Sequence, residues 1–278
     1  MTPVDCWVKH SVGNVVLSVA ILIGLVLSYT PQHMRIVRLG TSHGLSPYYL
    51  LMGALSGYSN LMNAVLLQSP YMACCKRVST AQCFLNLLGF LQLLTQWAMF
   101  FVIFILFIVY FPEDEKYVTI TDAQEDSQQN GMTAEWKVSL VAASIVVGYM
   151  MITGVAVLLM TLMAGKLAME RAATLLGSAS LLLSLCQFIP QLTRTYKLKQ
   201  AGALSVSAMS MQAPGSFIFC YALAVSPGTN VTTWMTYFVG GILQTMLLML
   251  CIYYHRRRDN PHDVIIVDDS DASTHDAQ

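Results

Sequence analysis

One stretch of this chain occurs twice, and that repeat limits the folds open to it more than any other feature. The first copy runs from Tyr29-Thr30-Pro31-Gln32 to Gly44-Leu45-Ser46, the second from Phe188-Ile189-Pro190-Gln191 to Ala203-Leu204-Ser205. A shift of 159 residues superposes them without a gap, setting Pro31 on Pro190, Gln32 on Gln191, Arg35 on Arg194, Leu39 on Leu198, Leu45 on Leu204 and Ser46 on Ser205. Each copy has one grammar: an apolar run ending in Pro-Gln, a short basic connector, and a Leu-Ser pair that opens the next apolar run. The two halves should therefore be one structural unit used twice.

What kind of unit follows from the apolar runs. Hydrophobic residues are 55% of the 278 and charged residues only 11%, with a mean hydropathy of +0.57. A soluble domain carries roughly 25% charged residues, so the chain belongs in a membrane. A spanning helix needs roughly 20 apolar residues, and seven segments meet that length: 12–37, 47–68, 82–111, 136–163, 172–197, 205–224 and 233–254. Gly241-Ile242-Leu243-Gln244 in the last matches Gly89-Phe90-Leu91-Gln92 in the third at an offset of 152, so the repeat extends over three helices. The expected fold is an all-α integral membrane protein. Its seven transmembrane helices form two parallel three-helix bundles joined by an inverting linker helix, a 3-1-3 layout.

This divides the chain into an N-terminus (1–11), a first repeat (12–111), an acidic loop (112–135), a linker helix and loop (136–171), a second repeat (172–254) and a tail (255–278). The acidic loop and the tail, which starts near Arg256-Arg257-Arg258, have too little apolar surface for a core and read as exposed and disordered. Ser46 before Pro47 is a helix start, with Ser as N-cap and Pro in the first turn, and Ser205 plays the same part. Pro31 and Pro190 should kink their helices, and Gln212-Ala213-Pro214-Gly215 should break another.

Lysine and arginine set the orientation. With the N-terminus outside, ten of the fifteen face inward and five (Lys9, Lys76, Arg77, Lys166, Arg171) face outward. The N-terminus is expected in the lumen and the C-terminus in the cytosol. Asn230-Val231-Thr232 is then a lumenal glycosylation sequon close to the membrane. Of seven cysteines, Cys83, Cys186, Cys220 and Cys251 sit in or beside apolar runs and read as small hydrophobes. Cys74-Cys75 match no metal spacing, and a bond from Cys6 to one of them is open if both lie on the oxidising side. Basic residues are few and confined to loop edges, which gives nucleic acid no footprint. The sequence offers no hydrolase triad, nucleotide loop or metal cluster, so neither enzyme activity nor a cofactor is expected.

Two Pro-Gln pairs in register, each closing the first helix of a triplet and each followed by Gly/Ala-Leu-Ser, resemble the PQ-loop repeat family over about residues 12–254. The resemblance implies the seven-helix fold. It also implies a range of functions: cystinosin-like and cationic amino acid exporters of lysosomes and vacuoles, the related SWEET sugar carriers, the KDEL receptors, a factor in dolichol-linked sugar utilisation, and members acting on lipid asymmetry. Proton-coupled exporters of the family use an acidic residue in the membrane. Here the helices of the two triplets have no Asp or Glu in their cores, which argues against proton coupling.

The expected activity is therefore transport of a small, neutral polar solute across an endomembrane, vacuolar, lysosome-like or Golgi, by alternating access. Lipid translocation and a non-transporting receptor or sorting role are the alternatives. Membrane lipid is the other partner, and a homo-oligomer stays open. The candidate solute-binding residues are Tyr58, Asn60, Asn63, Asn86, Gln92, Gln96, Gln212 and Gln244, because amides offer a donor and an acceptor each. The competing reading for each is helix–helix bonding, worth about 0.6–2 kcal/mol. Pro31, Gln32, Pro190, Gln191 and Pro214 are the candidate hinge and gate; the prolines could instead be tolerated kinks, and the glutamines could cap carbonyls freed by them.

Overall fold

A computed structural model describes Cys6 and residues 11–121, 128–199, 204–226 and 229–259. It contains eight helices: α1 (Val12–Leu39), α2 (Pro47–Cys74), α3 (Thr80–Asn86), α4 (Leu88–Val109), α5 (Ala134–Met163), α6 (Lys166–Leu198), α7 (Val206–Ala224) and α8 (Val231–Asp259). Six of them, α1, α2, α4, α5, α6 and α8, are long and apolar enough to cross a membrane. The chain is an all-helical integral membrane protein.

Several boundaries differ from the expected ones. The third segment is split at Leu87 into α3 and α4. The 19-residue α7 is not among the six, because Ser207, Ser210, Gln212, Pro214 and Ser216 dilute its apolar character. It nevertheless runs unbroken through Pro214, as α1 runs through Pro31 and α6 through Pro190. A packed bundle can satisfy carbonyls that a proline frees, so the expected break at Pro214 does not occur. α6 starts at Lys166, taking Glu170 and Arg171 into the helix, and α8 continues past His255 to Asp259.

The acidic segment is not featureless either. Tyr117–Thr121 and Gln128–Met132 form an antiparallel ribbon that pairs Tyr117 with Met132. β-Branched Val118, Thr119, Ile120 and Thr121 favour extended backbone, a local signal outweighed in the sequence by the surrounding carboxylates. Acidic residues flanking the ribbon pair with the α1–α2 connector and with α6. Glu115 accepts from His43 at 2.7 Å, and Glu135 pairs with Arg194.

The helices pack as a ring. α4 lies between α1 and α2, and α8 lies between α6 and α7. Across the repeats, α2 packs on α6 and α1 on α7, while α5 packs along α2 and makes slighter contact with α6. The order around the ring is α1, α4, α2, α6, α8, α7. Small residues let the α2/α6 seam close: a Cβ on Gly177 would stand 2.6 Å from Asn63 Nδ2 and 2.3 Å from Thr232 Oγ1 of α8. One end of the ring carries the Pro-Gln ends of α1 and α6. The other carries two disulfides, Cys6–Cys74 and Cys75–Cys83. Cys83 is thus a bonding partner and not the small hydrophobe expected of it; the short turn from α2 into α3 returns it to Cys75.

Candidate functional site

The two Pro-Gln glutamines reach across the ring. Gln191 Oε1 accepts the backbone N–H of Ser46 at 2.9 Å, and Gln32 Oε1 accepts that of Ser205 at 2.6 Å. The hydroxyls of these serines cap their own helices, Ser46 Oγ accepting from Tyr49 N and Ser205 Oγ from Ala208 N. In a capping box the residue at the third helical position returns a carboxyl or amide oxygen to the N-cap N–H. Tyr49 and Ala208 occupy that position and cannot, so a glutamine from the opposite repeat completes the box. Gln191 also donates to Gly44 O at 3.1 Å and to Thr195 Oγ1 at 3.3 Å. Both glutamine oxygens thus bond to the neighbouring repeat.

Between these latches and the disulfide end lies a cavity of about 420 Å³ lined by all six ring helices, within the usual size of ligand pockets, roughly 300–1,000 Å³. Apolar clusters bound it at both ends. Toward the latches are Ile36, Leu50, Phe107, Leu204 and Leu247. Toward the disulfides are Leu93 and Leu223, one turn beyond the lining residues Trp97 and Phe219. Every described side chain on the wall is uncharged at neutral pH.

The eight candidate solute-binding residues do not form one set. Asn60, Gln96, Gln212 and Gln244 line the cavity. Gln244 donates to Gln212 Oε1 at 2.7 Å, Gln212 donates to Ser28 O, and Gln96 donates to the Tyr29 hydroxyl at 2.7 Å. The other four lie off it and bond between elements. Tyr58 donates to Met150 O of α5, and Asn63 joins Ala173 O and Thr233 Oγ1. Gln92 donates to Ser18 O of α1, and Asn86 donates to Cys6 O. Of the hinge and gate candidates, Gln32 alone is on the cavity wall.

The wall also holds residues the sequence reading missed: Ser56, Trp97, Ser180, Ser184, Gln187, Thr236 and Tyr237. A signal for some of them was present. Ser180, Ser184, Gln187 and Gln191 recur at helical spacing in an otherwise apolar run, the mark of a polar stripe facing inward. Two buried atoms on the wall lack a partner of hydrogen-bonding geometry, Asn60 Oδ1, which neighbours Tyr237, and Trp97 Nε1. Both side chains line the cavity, although these two atoms are themselves shielded, and a rotation of either side chain would present an acceptor or a donor to an uncharged, hydrogen-bonding ligand. Among the described residues no group of three His, Cys, Asp or Glu side chains comes together to hold a metal.

A protein of Schizosaccharomyces pombe, Uncharacterized protein C4C5.03, is 34% identical over 260 residues, covering 91% of this chain and 84% of its own length. The PQ loop repeat matches residues 13–71 and again 172–230. This chain belongs to the PQ-loop repeat family. The two PQ-loop matches are offset by the same 159 residues that superpose the Pro-Gln copies. Each PQ-loop repeat supplies a first helix (α1, α6) whose glutamine latches onto the second helix (α7, α2) of the other repeat.

Proposed function

We propose that this PQ-loop protein carries a small, uncharged polar solute across an endomembrane by alternating access, the two repeats rocking about the cavity between them. The observation that carries the reading is the cavity itself: amide, hydroxyl and indole groups from both repeats, no charged side chain among the described wall residues, and apolar plugs toward both ends. Hydrogen bonds alone can hold a neutral solute. An ion would enter without a counter-charge, at a large desolvation cost. The chain then acts as a carrier and not an enzyme. The proposed layout has seven crossings, α7 included, since its 19 residues extend about 28 Å at 1.5 Å each. The N-terminus and both disulfides face the lumen, which suits an oxidising compartment.

Gln32 and Gln191 form the gate in this reading. Their bonds to Ser205 and Ser46 hold the Pro-Gln end shut, and opening that end breaks both. The test is uptake into vesicles containing the purified protein, with labelled sugars, neutral amino acids and cationic amino acids, with and without a pH gradient. Saturable, gradient-independent uptake of a neutral solute is expected. Uptake restricted to a cationic amino acid and driven by a pH gradient would overturn the reading.

A further inference from the structure

The ring has two seams between repeats, α2/α6 and α1/α7, which the 159-residue shift makes equivalent. They are not built alike. In the α2/α6 seam Ser56 Oγ donates to Ser180 O at 2.8 Å, and Asn63 Nδ2 donates to Ala173 O at 2.5 Å. Outside it lies α5. The matching positions in the other seam are Gly215 with Ile21, and Ala222 with Asn14. A Gly or Ala side chain cannot make either bond. The α1/α7 seam is tied near the latch end by Gln32 to Ser205 N and by Gln212 to Ser28 O at 3.4 Å. Beyond those ties it loosens. A Cβ on Gly24 or on Gly215 would meet nothing within 4 Å.

The cavity reaches the surface here. Its wall includes Ala20, Met211 and Ile218, which are exposed, Met211 and Ile218 at 45% and 49%. Ala20 lies well inside α1 and Ile218 well inside α7, so this mouth faces the hydrocarbon of the bilayer and not an aqueous end. The mouth is apolar (Ala20, Gly24, Met211, Gly215, Ile218), while the interior wall carries the amides of Asn60, Gln96 and Gln244. With apolar clusters toward both aqueous ends, the side is the open route.

We infer that the cavity opens sideways to the bilayer between α1 and α7, and that its ligand is an amphiphile, with an uncharged hydrogen-bonding head in the cavity and an acyl chain in the seam. This deepens the carrier reading and rests on its assignment of the cavity as the ligand site. A wholly polar molecule gains nothing at an apolar mouth at mid-depth. An acyl chain is already at home in the lipid around the seam and passes into it with no desolvation cost, because neither place holds water.

The test uses the full-length protein in phosphatidylcholine vesicles containing a monoacylglycerol with a diazirine at the end of its acyl chain. After illumination, adducts are mapped by mass spectrometry. Adducts are expected on the seam-facing residues around Gly24 and Gly215 and to fall about tenfold, equivalent to roughly 1.4 kcal/mol, when Gly215→Leu or Gly24→Leu fills the mouth. Two separate variants guard against misfolding of either one. Adducts confined to outward residues such as Ile23 and Tyr221, and unchanged in both variants, would overturn the inference. Uptake of a wholly polar solute is read in parallel. Uptake without seam adducts sinks the amphiphile and leaves the carrier. Seam adducts without that uptake support the amphiphile and remove the free polar solute from the carrier reading.

Discussion

Gln191 and Ser46 lie 145 residues apart in sequence, and the glutamine oxygen accepts the serine backbone N–H at 2.9 Å. The bond is buried, Gln191 being fully shielded and Ser46 nearly so. With its counterpart from Gln32 to Ser205, it makes each PQ-loop repeat cap a helix of the other. An exposed capping bond would be exchangeable with water; this one is not, because leaving a buried N–H without a partner costs about 1–3 kcal/mol.

Gln191→Ala should therefore lower stability by about 1–3 kcal/mol, read as an earlier thermal unfolding transition in detergent. Gln191→Glu keeps the acceptor but loses the donor to Gly44 O and Thr195 Oγ1. Gln191→Glu should therefore be less stable than the parent protein at neutral pH, and equal unfolding of the two would show that the donor bonds matter little.

Asn60 and Gln92 separate ligand contact from helix bonding. Asn60 lines the cavity, whereas Gln92 ties α4 to Ser18 O at 2.8 Å. Asn60→Ala should weaken the apparent affinity for a transported ligand by about tenfold, one hydrogen bond's worth of roughly 1.4 kcal/mol, together with a modest loss of stability, because Asn60 Nδ2 also donates to Thr233 O at 3.2 Å. Gln92→Ala should cost about 0.6–1.7 kcal/mol of stability at unchanged affinity. Equal effects on affinity from both would undo the division between wall and scaffold.

The cysteines give a chemical count. Cys186, Cys220 and Cys251 are free, and the other four are bonded. Denatured, unreduced protein should take three maleimide labels, and reduced protein all seven. Cys83→Ser should release Cys75 as a fourth label and cost about 2–4 kcal/mol. Seven labels without reduction would remove both disulfides.

Two glycines should respond oppositely to the same substitution. Gly177→Ala drives a methyl into Thr232 and Asn63 in the closed seam, an overpacking cost of about 1–3 kcal/mol. Gly148→Ala on α5 meets nothing within 4 Å and should stabilise by about 0.5–1 kcal/mol through helix propensity. Thermal unfolding of the two variants side by side checks the pair.

The amino-acid sequence alone determined the membrane class, the repeat and the family. Apolar run length is set by bilayer thickness, and the Pro-Gln copies need only a shift of register to be seen. It also carried the caps at Ser46 and Ser205, because an N-cap bonds within its own first turn. Partnership was decided by the tertiary structure. Asn60 and Asn63 sit three residues apart on one helix and both bond to Thr233, yet only Asn60 also lines the cavity, while Asn63 bonds Ala173 O. An amide looks the same in sequence whether it meets a ligand or a carbonyl. Gln32 and Gln191 found serines in the opposite repeat through approaches that no local spacing encodes. The inequality of the two seams was written in the sequence as Ser56 against Gly215, but it acquired meaning only once the ring placed those residues at equivalent contacts and laid α5 over one of them.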